Sequence, residues 1–485
     1  DFQGSRGLGD VYKRQGETDL KLVVKFGGTS LATVKDIKNV VKTVDKIAKK
    51  NKTVVVCSAV DGTTDELIQI SSLIEKGNKK DANRMLAKIS QKHKQFADHL
   101  ITNPKISKSL SSKLNSDLSE LEELVNGLIL LGEVTPRSYD YLISFGEKLS
   151  IDLVSFSLQE LKNKSTPLSG KEAGIVTDSN FGDSRPLMDT TKIRLSKIIN
   201  EHLKKNLIPV VAGFAGADQH DHTTTFGRGG SDYTATIIAS CIDADEIWLM
   251  SDVEGMMTAD PKLIKNAKLL KQVSYSEAIE MARFGAKQIH PRTFEPLLSK
   301  KIPMRIRSSF DVNNHGTLVT LPHSKSKDPV KCVAAIRKVG LLDLTGGILF
   351  AGPGAAAKIF SVLSKNDINA MMVSSNPSES SITIVVKKED LHRAENVLEI
   401  NLLGTTLKKI ETIPNVAIIA VIGSGMRGKV GIASRVFLAA QKSNANVMMI
   451  AQGSSELNLA FVVKDNDCKA VVTSLHNEFK LNAIK

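Results

Sequence analysis

Apolar positions near the start of the chain follow two different beats. Leu20, Leu22, Val23, Val24 and Phe26 crowd into one short run, which predicts a buried strand. Gly27 and Gly28 interrupt it, and Val34, Ile37, Val40, Val41 and Val44 then recur at helical spacing. A strand that turns on two glycines into a helix leaves bare N–H groups at the helix start, where an anion can sit. Lys25 stands just before that turn. Lys52–Ala59 predicts a second buried strand and completes a βαβ unit. It ends in a small polar loop, Ser58-Ala59-Val60-Asp61-Gly62-Thr63-Thr64-Asp65, entering another helix. Residues 70–130 keep the helical period and read as helices beside the sheet, without chemistry of their own.

The same pattern of strand, polar loop and helix recurs further on. Tyr139–Ile151 reads as a helix holding Phe145-Gly146-Glu147-Lys148. Ile208–Phe214 and Thr223–Phe226 predict strands. Between them, Asp218-Gln219-His220-Asp221-His222 has a spacing that suits neither one helix face nor a finger, so it reads as a polar turn rather than a metal site. Gly227-Arg228-Gly229-Gly230-Ser231-Asp232 opens the apolar helix Tyr233–Ser240 as a second anion cradle. Arg228 offers a fork for a carboxylate or phosphate, while Asp232 can cap the helix or hold Mg²⁺ through water. Strand Glu246–Met250 ends at Ser251-Asp252, Lys262 follows the Asp260-Pro261 turn, and Lys287 closes Phe284-Gly285-Ala286-Lys287. Lys25, Glu147, Arg228, Asp232 and Asp252 all fall at strand ends or helix starts. Such a set suits phosphoryl transfer, where positioning and charge neutralisation do most of the work.

From about residue 340 the pattern changes. Ile359–Lys387 aligns without gaps on Val436–Lys464, at a constant offset of 77 positions. Each copy predicts a βαββαβ unit. Both carry glycine loops, Gly352-Pro353-Gly354-Ala355 and Gly423-Ser424-Gly425-Met426-Arg427-Gly428, that imitate a dinucleotide fingerprint. But Val447–Ile450 ends in Ala451-Gln452-Gly453, with no acid for a ribose, and no further βαβ unit follows, so NAD is excluded. The second copy ends early, and the spare strand Cys332–Ile336 is expected to complete it, with the first copy inserted between.

The 485 residues allow about three domains. A net charge of +13 is spread over amphipathic helices with one Trp and five Tyr, which argues for a solvated basic surface and an anionic small substrate rather than nucleic acid. No apolar run approaches the roughly 20 residues that span a bilayer. Cys57, Cys241, Cys332 and Cys468 form no Cys-x-x-Cys pair, which argues against zinc or disulfides and predicts a reducing cytoplasm. Asp1–Gln15 lack Met, an apolar segment and a cleavage site, and are expected to be a tail outside the fold.

Lys25-Phe26-Gly27-Gly28-Thr29-Ser30 resembles the opening signature of the aspartate kinases, within the amino-acid kinase family. Over residues 21–485 the chain is similar to a monofunctional member, with the homoserine dehydrogenase half of bifunctional relatives expected to be absent. The resemblance implies an α/β fold: a tail at 1–19, a carbamate-kinase-like three-layer α/β/α sandwich over 20–325, and two ferredoxin-like βαββαβ ACT domains. The first ACT domain, 340–412, is inserted in the second, 330–339 plus 413–485. It implies transfer of the γ-phosphate of MgATP to the β-carboxylate of L-aspartate, the first step towards lysine, threonine and methionine.

By the same resemblance Lys25, Arg228 and Asp232 are catalytic. Ser30, Thr64, Glu147, Arg228 and Ser231 would bind aspartate, with Glu147 pairing its ammonium. Lys25, Gly27, Gly28, Ser251, Asp252, Met257, Lys262, Lys287 and Gln288 would contact the nucleotide, and Mg²⁺ would be held mainly through the phosphates rather than by a protein metal site. The family commonly has Thr, Tyr and Arg where this chain has Ser251, Met257 and Lys262; the last change keeps the charge and loses the fork. The ACT domains imply feedback by lysine, threonine or both, with Gly352, Gly354, Ala355 and Asn369 near the effector, and a homodimer or dimer of dimers. Two alternatives stand beside this reading: a sister kinase acting on glutamate or a nucleotide, and an amino-acid sensor with an inactive kinase domain.

Overall fold

A computed structural model describes residues 19–285, 289–311, 314–321, 328–346, 354–376 and 380–483. Among them the first apolar run is β1 (Lys21–Phe26), hydrogen-bonded on both sides, with Leu22, Val23, Val24 and Phe26 at its buried positions. The helix that follows, α1 (Val34–Ala48), leads into β2 (Lys52–Cys57). Four helices come next: α2 (Thr63–Glu75), α3 (Lys79–Leu100), α4 (Pro104–Leu131) and α5 (Pro136–Glu160). Then come β3 (Ser165–Leu168), α6 (Met188–Lys204), β4 (Ile208–Ala212), β5 (Ala215–Ala217), β6 (Thr223–Thr225) and α7 (Gly230–Cys241). The strands β7 (Glu246–Ser251), β8 (Gln272–Ser274), β9 (Met304–Ser308) and β10 (Thr317–Thr320) complete an eight-stranded sheet ordered β3-β4-β2-β1-β7-β9-β10-β8. Its pairs are parallel except β9 with β10.

Alternation along the strands separates two covered faces. Leu22, Val24 and Phe26 join a core with α1 and α5, together with Val55, Cys57, Val210 and Ala212. Val23, Val54, Val56 and Val211 are fully buried outside that cluster. They point to the other face, where α7 packs on β1, β2 and β7. Two helical layers therefore enclose the sheet, as expected for an α/β/α sandwich.

The chain divides into two compact units. The described residues up to Gly255, with Lys271–Tyr275 and Ile289–Leu321, form the first. Of the described residues, the second takes in 256–270 and 276–285 as well as the C-terminal repeats. The sequence reading places those two short segments inside the 20–325 region; by packing they go with the repeats. Glu277, on α8 (Tyr275–Arg283), has no exposed surface and accepts from the Ser424 N–H at 2.9 Å and hydroxyl at 2.7 Å, with the Lys331 ammonium at 3.2 Å.

In the second unit the repeats share one six-stranded antiparallel sheet, ordered β12-β13-β11-β14-β16-β15. Its strands are β11 (Cys332–Gly346), β12 (Met372–Asn376), β13 (Ser381–Lys387), β14 (Leu407–Ile422), β15 (Met449–Ala451) and β16 (Asn458–Lys464). The helices are α9 (Ala355–Lys365), α10 (Leu391–Leu402), α11 (Ile432–Lys442) and α12 (Cys468–Glu478). Cys332–Ile336 pairs with Ile418–Ile422, then a register shift leads directly into pairing of Leu341–Thr345 with β13. The segment read as a separate spare strand is thus the first part of one continuous strand. Lys338, at φ +60°, absorbs the irregularity.

Gly423 and Gly425, the dinucleotide-like glycines, serve chain approach. A Cβ at either would lie 2.3 Å from the Pro329 carbonyl or 2.7 Å from that of Asp328.

Between α4 and α5 lies a buried acid pair. Asp117 Oδ1 accepts from Lys113 at 3.0 Å and lies 3.1 Å from the Lys148 ammonium, and Asp152 interacts electrostatically with Asp117. Burial would raise Asp117, but Asp152 and the two lysines outweigh it and hold that carboxyl low. Burial first, and then Asp117, push Asp152 up to about 8. An acid raised in the folded state keeps a proton that the unfolded chain has released, so it costs stability progressively from about pH 4 to about pH 8. Asp152→Asn, which can donate to Asp117 at any pH, is expected to melt above the parent by about 2–4 °C at pH 8. The gap should shrink towards pH 4; thermal unfolding across that range checks it, and a gap independent of pH would refute the shared proton.

Candidate active site

Strand alternation decides where Lys25 goes. Its neighbours Val24 and Phe26 point to the α1/α5 core, so Lys25 points to the α7 side. There its Nζ meets Asp232 Oδ1 at 2.5 Å, with both side chains 12% exposed. Asp232 lies in the first turn of α7, whose cap residue Gly229 takes the left-handed conformation at φ +75°, and no side chain caps that helix. Of the two roles open to Asp232, capping is not the one adopted; its carboxylate serves Lys25.

Glu147 lies on α5, 4% exposed. Ser231 Oγ donates to its Oε1 at 3.4 Å, while Oε2 has no hydrogen-bond partner. Burial pushes this carboxyl up to about 8, against the opposing pull of the Ala59 and Glu147 backbone N–H groups, the Ser231 hydroxyl and the Lys25 charge. It is a buried acid short of a positive partner. Before it in sequence, Gly146 lets α5 approach β2: a Cβ there would stand 2.8 Å from Ala59 Cβ and 3.4 Å from Thr64 Oγ1.

Lys25, Thr64, Arg228, Ser231 and Asp232 line one cavity of about 500 Å³, with Ser58 and Thr225 from the ends of neighbouring strands. Glu147 stands behind Ser231. Arg228 is solvent-exposed on the lining. Positive charge, a helix N-terminus and hydroxyl donors converge here, which is what an anionic substrate requires. A larger groove, about 840 Å³, runs past Tyr141, Lys148 and Asp152 on another face of α5 and contains none of the predicted residues.

Ser30 is elsewhere. It is 1% exposed, and its hydroxyl donates to Ser309 Oγ at 2.9 Å, which in turn donates to the Ser251 carbonyl at 2.9 Å. The glycine turn also differs from the expected strand-to-helix step. A 3₁₀ turn, Gly28–Leu31, intervenes, and α1 starts only at Val34. A capping box of Thr33 and Asp36 closes its N-terminus. The N–H of Gly27 is directed at the Met250 carbonyl, 3.4 Å away. The Thr-x-x-Asp signal that predicts this cap is present in the sequence and outranks the glycines as a helix start.

At the end of β7, Ser251 Oγ donates to Asp252 Oδ1 at 2.9 Å, and Asp252 is exposed. Met257 and Lys262 belong to the second unit; Met257 bridges to Leu269, and Lys262 is exposed with its N–H on Asp260. Lys287, Gln288 and Gly352 lie outside the described residues. Gly354 caps α9 at φ +104°, Ala355 is buried at the helix start, and Asn369 is exposed beyond its end. Asp218 accepts from the backbone N–H groups of His220 and His222 and from Ser179 Oγ, so the His/Asp loop is a hydrogen-bonded turn. One residue escaped the sequence reading: Asp140, fully buried on α5 two turns before Glu147. A lone acid inside a mostly apolar helical stretch was the available signal.

The amino acid kinase family model matches residues 21–308, and an ACT domain model matches 344–402 and 419–479. Aspartokinase 3 of Arabidopsis thaliana, a chloroplastic enzyme, is 31% identical over 473 residues, covering 96% of this chain and 82% of its own length. The chain belongs to the amino acid kinase family, in its aspartokinase branch. It is also 30% identical over 471 residues to a bifunctional aspartokinase/homoserine dehydrogenase of the same plant, and spans about half of that protein's length (51%). Among solved structures, E. coli aspartokinase III in complex with aspartate and ADP matches with a TM-score of 0.79 at 26% identity, covering 94% of this chain and 99% of that one. The same enzyme in complex with lysine and aspartate matches at 0.79 and 27% identity, covering 94% and 98%. The kinase fold and paired ACT domains expected from the sequence are those of this branch. No described helix is long and apolar enough to cross a membrane.

Gly146→Ala separates two opposing effects. Alanine gains about 1 kcal/mol of helix propensity over glycine. The new methyl meets Ala59 Cβ, a stub that cannot rotate away, and overpacking of that kind costs about 1–3 kcal/mol. The variant is expected to be no more stable than the parent in urea unfolding; a gain near 1 kcal/mol would mean that α5 can slide off β2.

Proposed function

We propose that this chain is an aspartate kinase that transfers the γ-phosphoryl group of MgATP to the β-carboxylate of L-aspartate. A β-carboxylate oxygen forms the new O–P bond, the bond from the γ-phosphorus to the bridging oxygen breaks, and ADP leaves with the electron pair. The products are 4-phospho-L-aspartate and ADP. No general base is required, because a carboxyl with a pKa near 4 is already ionised at neutral pH. The difficulty is electrostatic, since two anions must meet. The observation that carries the reading is the convergence of Lys25, Arg228, Ser231 and Asp232 on one cavity, with the under-partnered Glu147 beside it.

In this reading Lys25 leaves Asp232 for the phosphates and stabilises the transferred group. Arg228 holds a substrate carboxylate, Thr64 and Ser231 supply hydroxyls, and Glu147 receives the ammonium. Ser251, Asp252, Met257, Lys262, Lys287 and Gln288 are proposed to meet the nucleotide. Mg²⁺ uses few protein carboxylates when phosphates supply most ligands. Asp232 and Asp65 on the cavity lining fit that need, and the ion supplies charge neutralisation when bound with ATP.

We further propose the sequence domains 20–325, of which 256–270 and 276–285 pack with the repeats, then 340–412, and 330–339 with 413–485. Feedback by lysine, threonine or both would act at ACT pockets near Gly352, Gly354, Ala355 and Asn369, in a homodimer or dimer of dimers. Four buried, unpaired cysteines suit the reducing cytoplasm.

Aspartate-dependent ADP release should fall at least about 100-fold in Lys25→Met, as for loss of a charge-stabilising donor. Release that persists in this variant, or that needs glutamate instead of aspartate, would remove the reading. Glu147 gives a pH signature. Its carboxyl, at about 8 in the unliganded site, must ionise to pair an ammonium. The KM for aspartate is therefore expected to fall as pH rises from 6 to about 8 and then to level off. Glu147→Gln should flatten that dependence and raise the KM by about 10–100-fold.

A further inference from the structure

We infer that Asp140 is a positioning residue that sets the Arg228 loop against Glu147, an inference that rests on the substrate roles proposed above for those two side chains. Asp140 Oδ2 accepts two backbone N–H groups, from Gly182 at 2.9 Å and from Thr225 at 2.7 Å, and Oδ1 accepts the Thr225 hydroxyl at 2.8 Å. Both partners line the cavity, and neither lies on α5.

Thr225 is the last residue of β6, and the loop to Gly227 and Arg228 leaves from it. Gly182 touches the same loop from the other side: a Cβ on Gly227, itself at φ +69°, would lie 2.9 Å from the Gly182 carbonyl. A single buried carboxylate thus ties together the two segments that flank the glycine loop. From the far side Arg292 reaches Asp183 at 2.6 Å and the Ser184 carbonyl at 2.7 Å, while Ser184 donates to the Thr225 carbonyl.

The tether matters because of what else α5 carries. Glu147 follows Asp140 by two helical turns, about 10 Å along the same rigid helix. One end of that span presents the ammonium contact and the other fixes the loop bearing the carboxylate contact. Losing the tether leaves Arg228 and Glu147 intact but their separation undefined, and misplacement of about 1 Å at a reacting site can cost about 100-fold. The ATP side of the site is not held by Asp140.

Kinetics of purified full-length variants test this. Asp140→Ala removes both acceptor oxygens, and with them all three hydrogen bonds, and should raise the KM for aspartate about 10–100-fold, leaving the KM for ATP within about twofold. Asp140→Asn should restore near-parent values. Its amide oxygen can accept both backbone donors, and its NH₂ can donate to the Thr225 hydroxyl. Thr225→Val, which deletes only the hydroxyl bond and spares the fold if Asp140→Ala does not, should raise the aspartate KM by about 3–10-fold. An unchanged aspartate KM in folded Asp140→Ala or Thr225→Val, or equal losses on both substrates, would overturn the inference. A parent enzyme without Arg228-dependent aspartate turnover would instead overturn the proposed function, which keeps the two failures apart.

Discussion

A lysine ammonium and an aspartate carboxylate 2.5 Å apart, both nearly out of water, are what the candidate site of the first unit is arranged around. Removing one partner from a buried pair of this kind strands the other without a counter-charge. The pair links the end of β1 to the first turn of α7 at the cavity. It also keeps a cation poised where water is scarce. In the proposed reaction that cation passes to the phosphates, so the apo contact preserves the charge the reaction needs.

The buried acids of this unit share one penalty and meet different fates. Burial raises Glu147, Asp152 and Asp140 alike. Asp140 is partly compensated by three donors and becomes a structural tether. Asp152 leans on Asp117 and keeps a proton. Glu147, like Asp152, keeps an oxygen without a hydrogen-bond partner, but of the two only Glu147 stands beside the cavity lined by Lys25, Arg228 and Ser231. A buried acid waiting for a cation from outside is a binding feature, whereas its two neighbours on α5 belong to the fold.

The second unit shows how a duplicated sequence can build a single sheet. β11 and β14 each run through both halves, and the irregular residues Lys338 and Asn415, both at positive φ, let one strand serve two repeats. The helix carrying Glu277 lies outside the repeats in sequence, yet its carboxylate satisfies the glycine loop at Ser424. A loop that imitates a nucleotide fingerprint is thereby explained by backbone crowding and one buried acid.

The sequence by itself determined the elements: the strands from unbroken apolar runs, the helices from their period and the repeat from its constant offset; it singled out the lysine and arginine at glycine turns, and the glutamate only through the family resemblance. These are local signals, carried by neighbours within a few turns. It also contained the Thr33–Asp36 cap, which the glycines overshadowed. Only the tertiary structure decided the rest. That Asp232 pairs with Lys25 instead of capping its helix, that Ser30 is committed to Ser309, that Asp140 holds two loops, and that residues 256–270 pack with the repeats all depend on contacts between residues far apart in the chain. Such contacts are fixed by which surfaces can be buried together and which buried charges can find a partner. No local pattern encodes that choice.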